Sequence, residues 1–489
     1  MSRLSHIRSQ GRNGSNWNKH WWTSVSEQAT EAEIERPTRV STRVRIAVSS
    51  LLHTALRGQV GFTMGTNLLL MGASLLSGSL AAHLLGPTGR GQLAAIQLWP
   101  LVTMTIGSGG IVEAASYFSG RFREQSGVFG ITATVMLAVM AVPLVLIGIV
   151  AMPHLLAAEP SRIVAESRIY MFIVPILFFI NTFPAVLRGR GDMRVWNVLR
   201  LTQPLGYVVI LLVAAFLPVD RVTFVAFAMF GWIAAHVVLS LALLRWYLPG
   251  PHRFEGEQVG PMLRYGAKSI SATTPSLLNG RMDQLVMGAF LSPHLLGLYA
   301  VAVSWSLAVT PVSNAFGQVI LPRLAGAQGS EDAAERLCAT SRIASGMNAL
   351  MGLGFLLISP LAVYIVFGAS FAPAIPATMV LVVAAVCLGM NQFLEEAVRG
   401  LGRPGLATVA ELCGFVVTAV GLAVLLPRFG ILGAALASLL SYTTVLIMLV
   451  VILHRRLGLR PRDLLLPRPA DVRSLLDRFR PARIEPVRG

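Results

Sequence analysis

Charged residues are scarce in this sequence. Asp, Glu, Lys and Arg make up 13% of its 489 residues, whereas hydrophobic residues make up 54%, and the mean hydropathy is +0.66. Soluble globular domains carry roughly a quarter charged residues, so the composition excludes that class. Apolar runs of roughly 20 residues, enough to cross a hydrocarbon layer ~30 Å thick, recur from Gly61 onward. The sequence therefore predicts a multi-pass membrane protein.

Lysine and cysteine are also rare, and each shortage limits the kinds of enzymatic or metal site that the protein can contain. The only lysines are Lys19 and Lys268, and neither lies in a G-x-x-x-x-G-K-[ST] phosphate loop, so we expect no ATP hydrolysis. The three cysteines, Cys338, Cys387 and Cys413, lack metal-ligand spacing. The longest loop on the expected outer face, 151–168, is too short to hold the acceptor site of a glycosyltransferase. We therefore expect neither an enzyme nor a bound cofactor or metal.

The apolar runs are continuous rather than alternating, which predicts helices and not barrel strands. The expected fold is an all-α membrane protein with about twelve transmembrane helices in two parallel six-helix lobes. The predicted spans are Gly61–Leu85, Gln92–Phe118, Val128–Val150, Ile169–Leu187, Val198–Leu217, Val222–Leu244, Ile270–Leu291, Leu296–Leu321, Ile343–Phe367, Ala374–Phe393, Leu406–Leu426 and Ile431–Leu453.

Basic residues lie almost entirely on one predicted face. Of the 40 Lys and Arg, 34 fall in the two tails and the alternate loops between them. By the positive-inside rule this face is cytoplasmic, so both termini are predicted to be cytoplasmic. Membrane topology and anionic headgroups explain the formal charge of +17, and we expect no nucleic-acid binding.

The domain prediction follows from these spans. Residues 1–60 form a cytoplasmic tail and an interfacial helix, 61–245 the N-lobe, 246–265 a linker, 266–454 the C-lobe, and 455–489 a basic cytoplasmic tail.

An internal repeat supports the two lobes. The hairpin after the first span reads Leu85-Gly86-Pro87 with Gly91 and Ala94, and the hairpin after the seventh reads Leu291-Ser292-Pro293 with Gly297 and Ala300. Both sets are offset by 206 residues. A second echo joins the turns Arg188-Gly189-Arg190-Gly191 and Arg399-Gly400-Leu401-Gly402. An even number of spans between the copies gives a parallel repeat, the arrangement of transporters whose lobes rock about a central site.

Arg281 is the strongest candidate for function. It lies ten residues before Leu291, about 15 Å deep at 1.5 Å per residue, where charge is costly and marks function. Arg281 and Asp283 point ~200° apart on a regular helix, but Pro275 and Gly280 favour a distortion. Because guanidinium grips phosphate oxygens in a bidentate manner, Arg281 predicts an anionic cargo. An ion pair that locks packing is the structural alternative.

Other polar residues in the spans are weaker candidates. Asn279, Gln284, Asn314, Gln318 and Asn181 can hydrogen-bond sugars or join helices. Asp283, Glu411 and Glu113 are candidates for ion coupling, although pairing of Glu113 with Arg121 or Arg123, and of Glu411 with Arg399 or Arg403, is the structural alternative.

From Gly61 to Leu457 the sequence resembles bacterial lipid-linked oligosaccharide flippases of the Wzx type, a polysaccharide transport family. Their superfamily also contains the multidrug (MATE) exporters and the peptidoglycan-precursor flippase. The resemblance is carried by the Leu85-Gly86-Pro87-x-x-x-Gly91 hairpin, the segment from Asn279 to Leu291, Gly297-Leu298-Tyr299 and the Arg-Gly-x-Gly turns.

This resemblance implies a flippase of the bacterial plasma membrane that uses alternating access in cell-surface polysaccharide biosynthesis. Its cargo would be a polyprenyl-diphosphate-linked oligosaccharide, with Arg281 at the diphosphate. Expected partners are membrane lipids and the glycosyltransferases or polymerase of the same pathway. Two alternatives stay open: a cation-coupled multidrug or small-molecule exporter of the same superfamily, and an inactive membrane scaffold.

Overall fold

A computed structural model describes residues 42–325, 330–401 and 403–468. Within these ranges the chain is helical apart from short connections and contains no strand, because a segment in lipid must satisfy its own backbone hydrogen bonds. Residues from Phe62 onward form one compact unit. The predicted tail before residue 40 and the last part of the basic tail, from residue 469, lie outside the described residues.

The helices of the first half are α1 (Thr42–Gly107), α2 (Ile111–Arg121), α3 (Ser126–Leu155), α4 (Ser161–Tyr170), α5 (Ile173–Arg190), α6 (Met193–Phe216) and α7 (Arg221–Tyr247). Those of the second half are α8 (Gly256–Asn279), α9 (Met282–Phe290), α10 (Pro293–Ser306), α11 (Pro311–Ala325), α12 (Ser330–Ala362), α13 (Ile375–Gly400), α14 (Pro404–Leu457) and α15 (Pro461–Leu465). Short 3-10 or π turns occupy Arg123–Gln125, Leu307–Val309, Val363–Phe367 and Ala369–Ala374.

Eight helical stretches of the described chain are long and apolar enough to cross a membrane. Two of them, in α1 and α14, continue past Gly86 and Gly430, where φ is 65° and 56°. Only glycine adopts such a backbone readily, so each of these glycines marks the turn between two predicted spans. The seventh and eighth predicted spans are divided into α8 with α9 and α10 with α11. The all-helical membrane fold is confirmed, and the count of twelve stays a prediction.

Large apolar side chains cover the outside of the bundle. Phe216, Val150 and Leu350 are 87%, 73% and 71% exposed. A soluble monomer does not carry apolar surface on this scale, whereas a lipid-facing surface requires it. The interior holds many alanines, which let helix backbones approach each other closely. Together with the length of the helices, this pattern describes a multi-pass membrane protein.

The two copies of the predicted repeat contact each other directly. A Cβ added to Gly91 would lie 1.8 Å from the carbonyl oxygen of Pro293, and one added to Gly297 would lie 1.8 Å from that of Pro87. Each glycine therefore occupies the same place in its own hairpin and faces the same residue of the other hairpin. We call this reciprocal contact the glycine latch. It shows local two-fold pseudosymmetry, while the division into six-helix lobes stays a prediction.

A second close approach joins the start of α2 to α8. A Cβ on Gly110 would lie 2.2 Å from the carbonyl oxygen of Gly266, and a Cβ on Gly266 would lie 2.7 Å from that of Gly109. Two turns along α2, the rings of Tyr117 and Tyr265 stack with centroids 4.3 Å apart. In the described residues, the two halves of the chain are thus in close backbone contact at two places, the glycine latch and the contact of Gly110 with Gly266.

Candidate functional site

The helix that carries Arg281 is interrupted at that residue. Helix α8 ends at Asn279, helix α9 begins at Met282, and Arg281 between them has φ −129° and ψ −10°. Glycine loosens a helix, and Gly280 lies at the break, whereas Pro275 lies inside α8, which continues to Asn279. The distortion predicted from these residues is present, and it releases Arg281 from the regular spacing of either helix.

Asn279, the last residue of α8, is buried at the centre of a hydrogen-bond network with α14. Its Nδ2 donates to Oε2 of Glu411 at 3.0 Å. Its Oδ1 accepts bonds from the hydroxyls of Thr418 at 2.5 Å and Ser441 at 2.9 Å. The Ser441 hydroxyl also lies 2.8 Å from the carbonyl of Gly414, and its single proton is donated to one of these two acceptors at a time. Glu411 therefore has a neutral amide partner and forms no salt bridge with a described residue, so its predicted pairing with Arg399 or Arg403 is wrong.

Asp283 lies one turn further along and is 3% exposed. Its Oδ2 accepts hydrogen bonds from the hydroxyls of Tyr299 at 2.5 Å and Ser438 at 3.3 Å, and its Oδ1 accepts one from the backbone N–H of Gln284 at 2.7 Å. These bonds compensate the cost of burying the carboxylate. Asp283 thus joins α9, α10 and α14.

Arg281 itself is half-buried, and its guanidinium forms no salt bridge or hydrogen bond with any residue that the structure describes. Arg281 therefore forms no salt bridge with a described carboxylate, although its charge acts on nearby Asp283; the choice between cargo binding and a packing role stays a prediction. A guanidinium carries five N–H donors and does not lose its proton. An unpaired one within a membrane bundle keeps its full capacity to bind an anion.

A cavity of about 300 Å3, which we call the side cavity, lies among α2, α5, α6 and α7. Its polar lining consists of Glu113, Asn181, Arg188, Arg200, Gln203 and His236. A second cavity of about 700 Å3, the mouth cavity, lies between α2, α5 and α8. It is lined by residues that include Tyr117, Arg121 and Tyr265. Glu113 and Arg188 line both cavities.

The structure brings some of the predicted candidates together and separates the others. Glu113 and Asn181 line the side cavity, whereas Asn279 and Asp283 belong to the buried networks at the helix break. Gln284 is buried beside Asp283, and Asn314 is exposed. The side chain of Gln318 lies outside what the structure describes. Arg281 lines neither of the two cavities.

Two sets of charged residues differ in whether they form salt bridges. Glu113 forms no salt bridge with a described residue, and its Oε2 is buried without a hydrogen-bond partner; its predicted pairing with Arg121 or Arg123 is wrong. Arg399 does pair with its neighbours, at 2.6 Å from Glu396 and 3.2 Å from Glu395. Glu395, Glu396 and Arg399 therefore form a charged cluster at the end of α13.

Sequence analysis missed the arginines of the side cavity. Arg188 was assigned to a turn and Arg200 to the basic face, yet both line the cavity. The available signal was Trp196, four residues before Arg200, because residues at that spacing meet on one helix face. The guanidinium of Arg200 lies 4.4 Å from the centroid of that indole ring.

Comparisons with known proteins agree with this architecture. The family described as "Polysaccharide biosynthesis protein" matches residues 56–328. The "Probable low-salt glycan biosynthesis flippase Agl15" of Haloferax volcanii is 24% identical over 184 residues, which cover 37% of this chain. The match spans 39% of that relative's length.

Solved structures share the fold at low sequence identity. The "Lipid II flippase MurJ, inward closed conformation" has a TM-score of 0.70 and 11% identity, over 85% of this chain and 90% of that one. An inward-facing "multidrug resistance MATE family transporter of the MOP superfamily" has a TM-score of 0.65 and 14% identity, over 79% and 94%. These likenesses show that the chain shares the fold of these two proteins.

Proposed function

The chain belongs to the polysaccharide biosynthesis protein family, and we propose that it is a flippase for lipid-linked glycan. Its cargo is a polyprenyl-diphosphate-linked oligosaccharide, moved from the inner to the outer leaflet of a bacterial plasma membrane with both termini cytoplasmic. The glycosyltransferases or polymerase of the pathway are its partners. The fold shared with a lipid II flippase and the similarity to the probable glycan biosynthesis flippase of Haloferax volcanii support this cargo class.

The observation that carries the proposal is the unpaired Arg281 at the break between α8 and α9. A diphosphate offers several anionic oxygens, and a planar guanidinium binds two of them at once. The break places Arg281 at the junction of the two helices, where its backbone bonds Leu278 of α8 and Leu285 of α9. The polar candidates Asn279, Gln284, Asn314, Gln318 and Asn181 then serve the sugars or hold this region in shape.

Alternating access uses the two close approaches described above. The glycine latch joins the hairpins on the expected outer side, and the contact of Gly110 with Gly266 lies toward the mouth cavity. Small residues allow backbones to meet and separate without reshaping side chains. Breaking one contact while keeping the other opens the bundle to one side at a time.

Glu411 is the residue that couples transport to an ion, and Asp283 and Glu113 are further candidates. Glu411 is 4% exposed, and its hydrogen-bond partner Asn279 lies two residues before Arg281 in the sequence. Loss or gain of a proton or cation at Glu411 changes the network that ends α8. Such a change alters the break where Arg281 lies, which links the ion to the cargo.

A test replaces Arg281 with alanine in a strain that lacks the chromosomal gene. Surface polysaccharide should disappear and lipid-linked oligosaccharide should accumulate, while the amount of inserted protein stays normal. Arg428→Ala is the matched control, because Arg428 is an exposed arginine at the expected outer turn of α14. Wild-type export by Arg281→Ala would contradict the assignment of Arg281.

The exporter alternative draws on the MATE fold and on buried carboxylates in the second half, namely Asp283, Glu395 and Glu411. A cation-coupled exporter needs acidic groups in its membrane region. The drug susceptibility of a deletion strain distinguishes the flippase proposal from the exporter alternative. A strain without this protein should stay as resistant as its parent if the flippase proposal holds, and become sensitive to organic cations if the protein is an exporter.

A further inference from the structure

We propose that the side cavity binds an acidic sugar of the transported glycan, with Arg188 and Arg200 holding its carboxylate. This inference rests on the proposed flippase function and adds a second binding site, apart from Arg281. According to this inference, the first half of the chain determines which glycan is carried.

The walls of the cavity decide which part of the cargo can enter. Four helices, α2, α5, α6 and α7, supply its lining. A polyprenyl tail must remain in hydrocarbon, because taking it out costs ~0.8 kcal/mol per CH2 group. The diphosphate is attached to that tail and stays near the lipid boundary. The occupant of a cavity within one set of helices is therefore the free, water-soluble end of the cargo, the glycan.

The charges in the cavity favour an acid. Neither Arg188 nor Arg200 forms an ion pair with a described residue. Arg200 lies over the indole of Trp196 and makes a long 3.4 Å contact with Oδ1 of Asn197, so most of its five N–H donors stay available. Glu113 is the one carboxylate among the polar lining groups described for this cavity. Two guanidinium groups against one carboxylate leave a net positive charge for an anion.

The remaining polar groups suit hydroxyls. Nδ2 of Asn181 donates to the carbonyl of Leu177 at 2.8 Å, which leaves Oδ1 as an acceptor. The buried Oε2 of Glu113 is a second acceptor without a partner. The His236 ring bonds the hydroxyl of Thr202 at 2.8 Å, which fixes its orientation at the cavity wall. A sugar with both hydroxyls and a carboxylate matches this set.

The size of the cavity agrees with a short saccharide. About 300 Å3 lies at the lower end of the range for small-molecule sites, which runs from ~300 to ~1,000 Å3. The whole lipid-linked oligosaccharide does not fit. Glu113 and Arg188 also line the mouth cavity of about 700 Å3, so the two cavities are adjacent and the larger one has room for the rest of the glycan.

The test uses two short-chain prenyl-diphosphate disaccharides that differ only at carbon 6 of the terminal hexose, a hydroxymethyl group in one and a carboxylate in the other. Binding to purified protein in detergent is measured by titration calorimetry. Wild-type protein should bind the carboxylate probe roughly tenfold or more tightly, since one charge-assisted hydrogen bond is worth ~1.5–3 kcal/mol. Arg188→Gln and Arg200→Gln should each reduce that preference, with equal thermal stability as the check on folding.

Arg194→Gln is the matched control, an exposed arginine on the same helix as Arg200; it should keep the preference. Arg281→Ala should weaken both probes to the same extent. Equal binding of both probes by wild-type protein overturns the acidic-sugar site alone. Retention of the preference by Arg188→Gln and Arg200→Gln does so as well. Failure of the wild-type protein to bind either probe overturns the flippase proposal itself.

Discussion

The glycine latch allows a direct prediction about the conformational cycle. In Gly91→Ala the new methyl group would lie 1.8 Å from the carbonyl oxygen of Pro293, whereas real Cβ contacts stay beyond 3.0 Å. The hairpins must then separate by more than 1 Å, because the obstacle is backbone and cannot rotate away. Overpacking of this kind costs ~1–3 kcal/mol, which lowers the ratio of latched to open protein roughly 5-fold to 150-fold. Gly297→Ala should behave identically.

Spin labels at the exposed, repeat-related positions Thr88 and His294 measure the effect, in protein whose three cysteines have been replaced. Electron-spin distance measurements in lipid should show a longer distance between the labels in Gly91→Ala. The control is Gly231→Ala, because a Cβ there meets nothing within 4 Å. Gly266→Ala should instead loosen the contact near the mouth cavity and leave the label distance short.

An unchanged label distance in both Gly91→Ala and Gly297→Ala refutes the latch. A longer distance in Gly231→Ala as well would show that any added methyl group disturbs the bundle, and would remove the link to the two-fold contact.

Three further predictions concern single side chains. Tyr299→Phe removes the 2.5 Å bond to buried Asp283 and should cost ~1–3 kcal/mol, seen as a lower melting temperature. Burial raises the pKa of Glu159, outside the predicted spans, from 4.5 to about 7. The folded state therefore binds the extra proton, and stability should fall as pH rises from about 4.5 to about 7, but not in Glu159→Gln. Glu411→Gln keeps an acceptor for the Asn279 amide, so the protein should fold normally. Transport driven by an ion gradient should be lost. Transport that still responds to the gradient would contradict the role of Glu411.

Much of the fold could be predicted from the sequence because lipid imposes strict rules. Long apolar runs mark helices, and the repeat around Gly91 and Gly297 identified the hairpins that meet in the glycine latch. The break at Gly280 followed from local backbone chemistry. Each of these features depends on residues close together in the chain, where propensity and periodicity are informative.

The side-chain partners could not be predicted in the same way. Glu411 bonds Asn279 across 132 residues, and Asp283 bonds Ser438 across 155. Nothing local distinguishes these pairs from the nearer arginines that charge alone favours. The side cavity likewise depends on the relative placement of four helices. From the sequence alone Arg200 is therefore predicted to lie on the basic face, and only the packing of its helix against the others shows that it lines the cavity.

The central claim is that Arg281 meets the diphosphate of a lipid-linked glycan during transport. The most direct measurement follows a fluorescent prenyl-diphosphate disaccharide across liposomes that contain purified protein. Wild-type protein should accelerate its movement between leaflets, Arg281→Ala should move it no faster than empty liposomes, and Arg281→Lys, which keeps the charge without the bidentate fork, should be intermediate. Movement at the wild-type rate with Arg281→Ala would contradict the account.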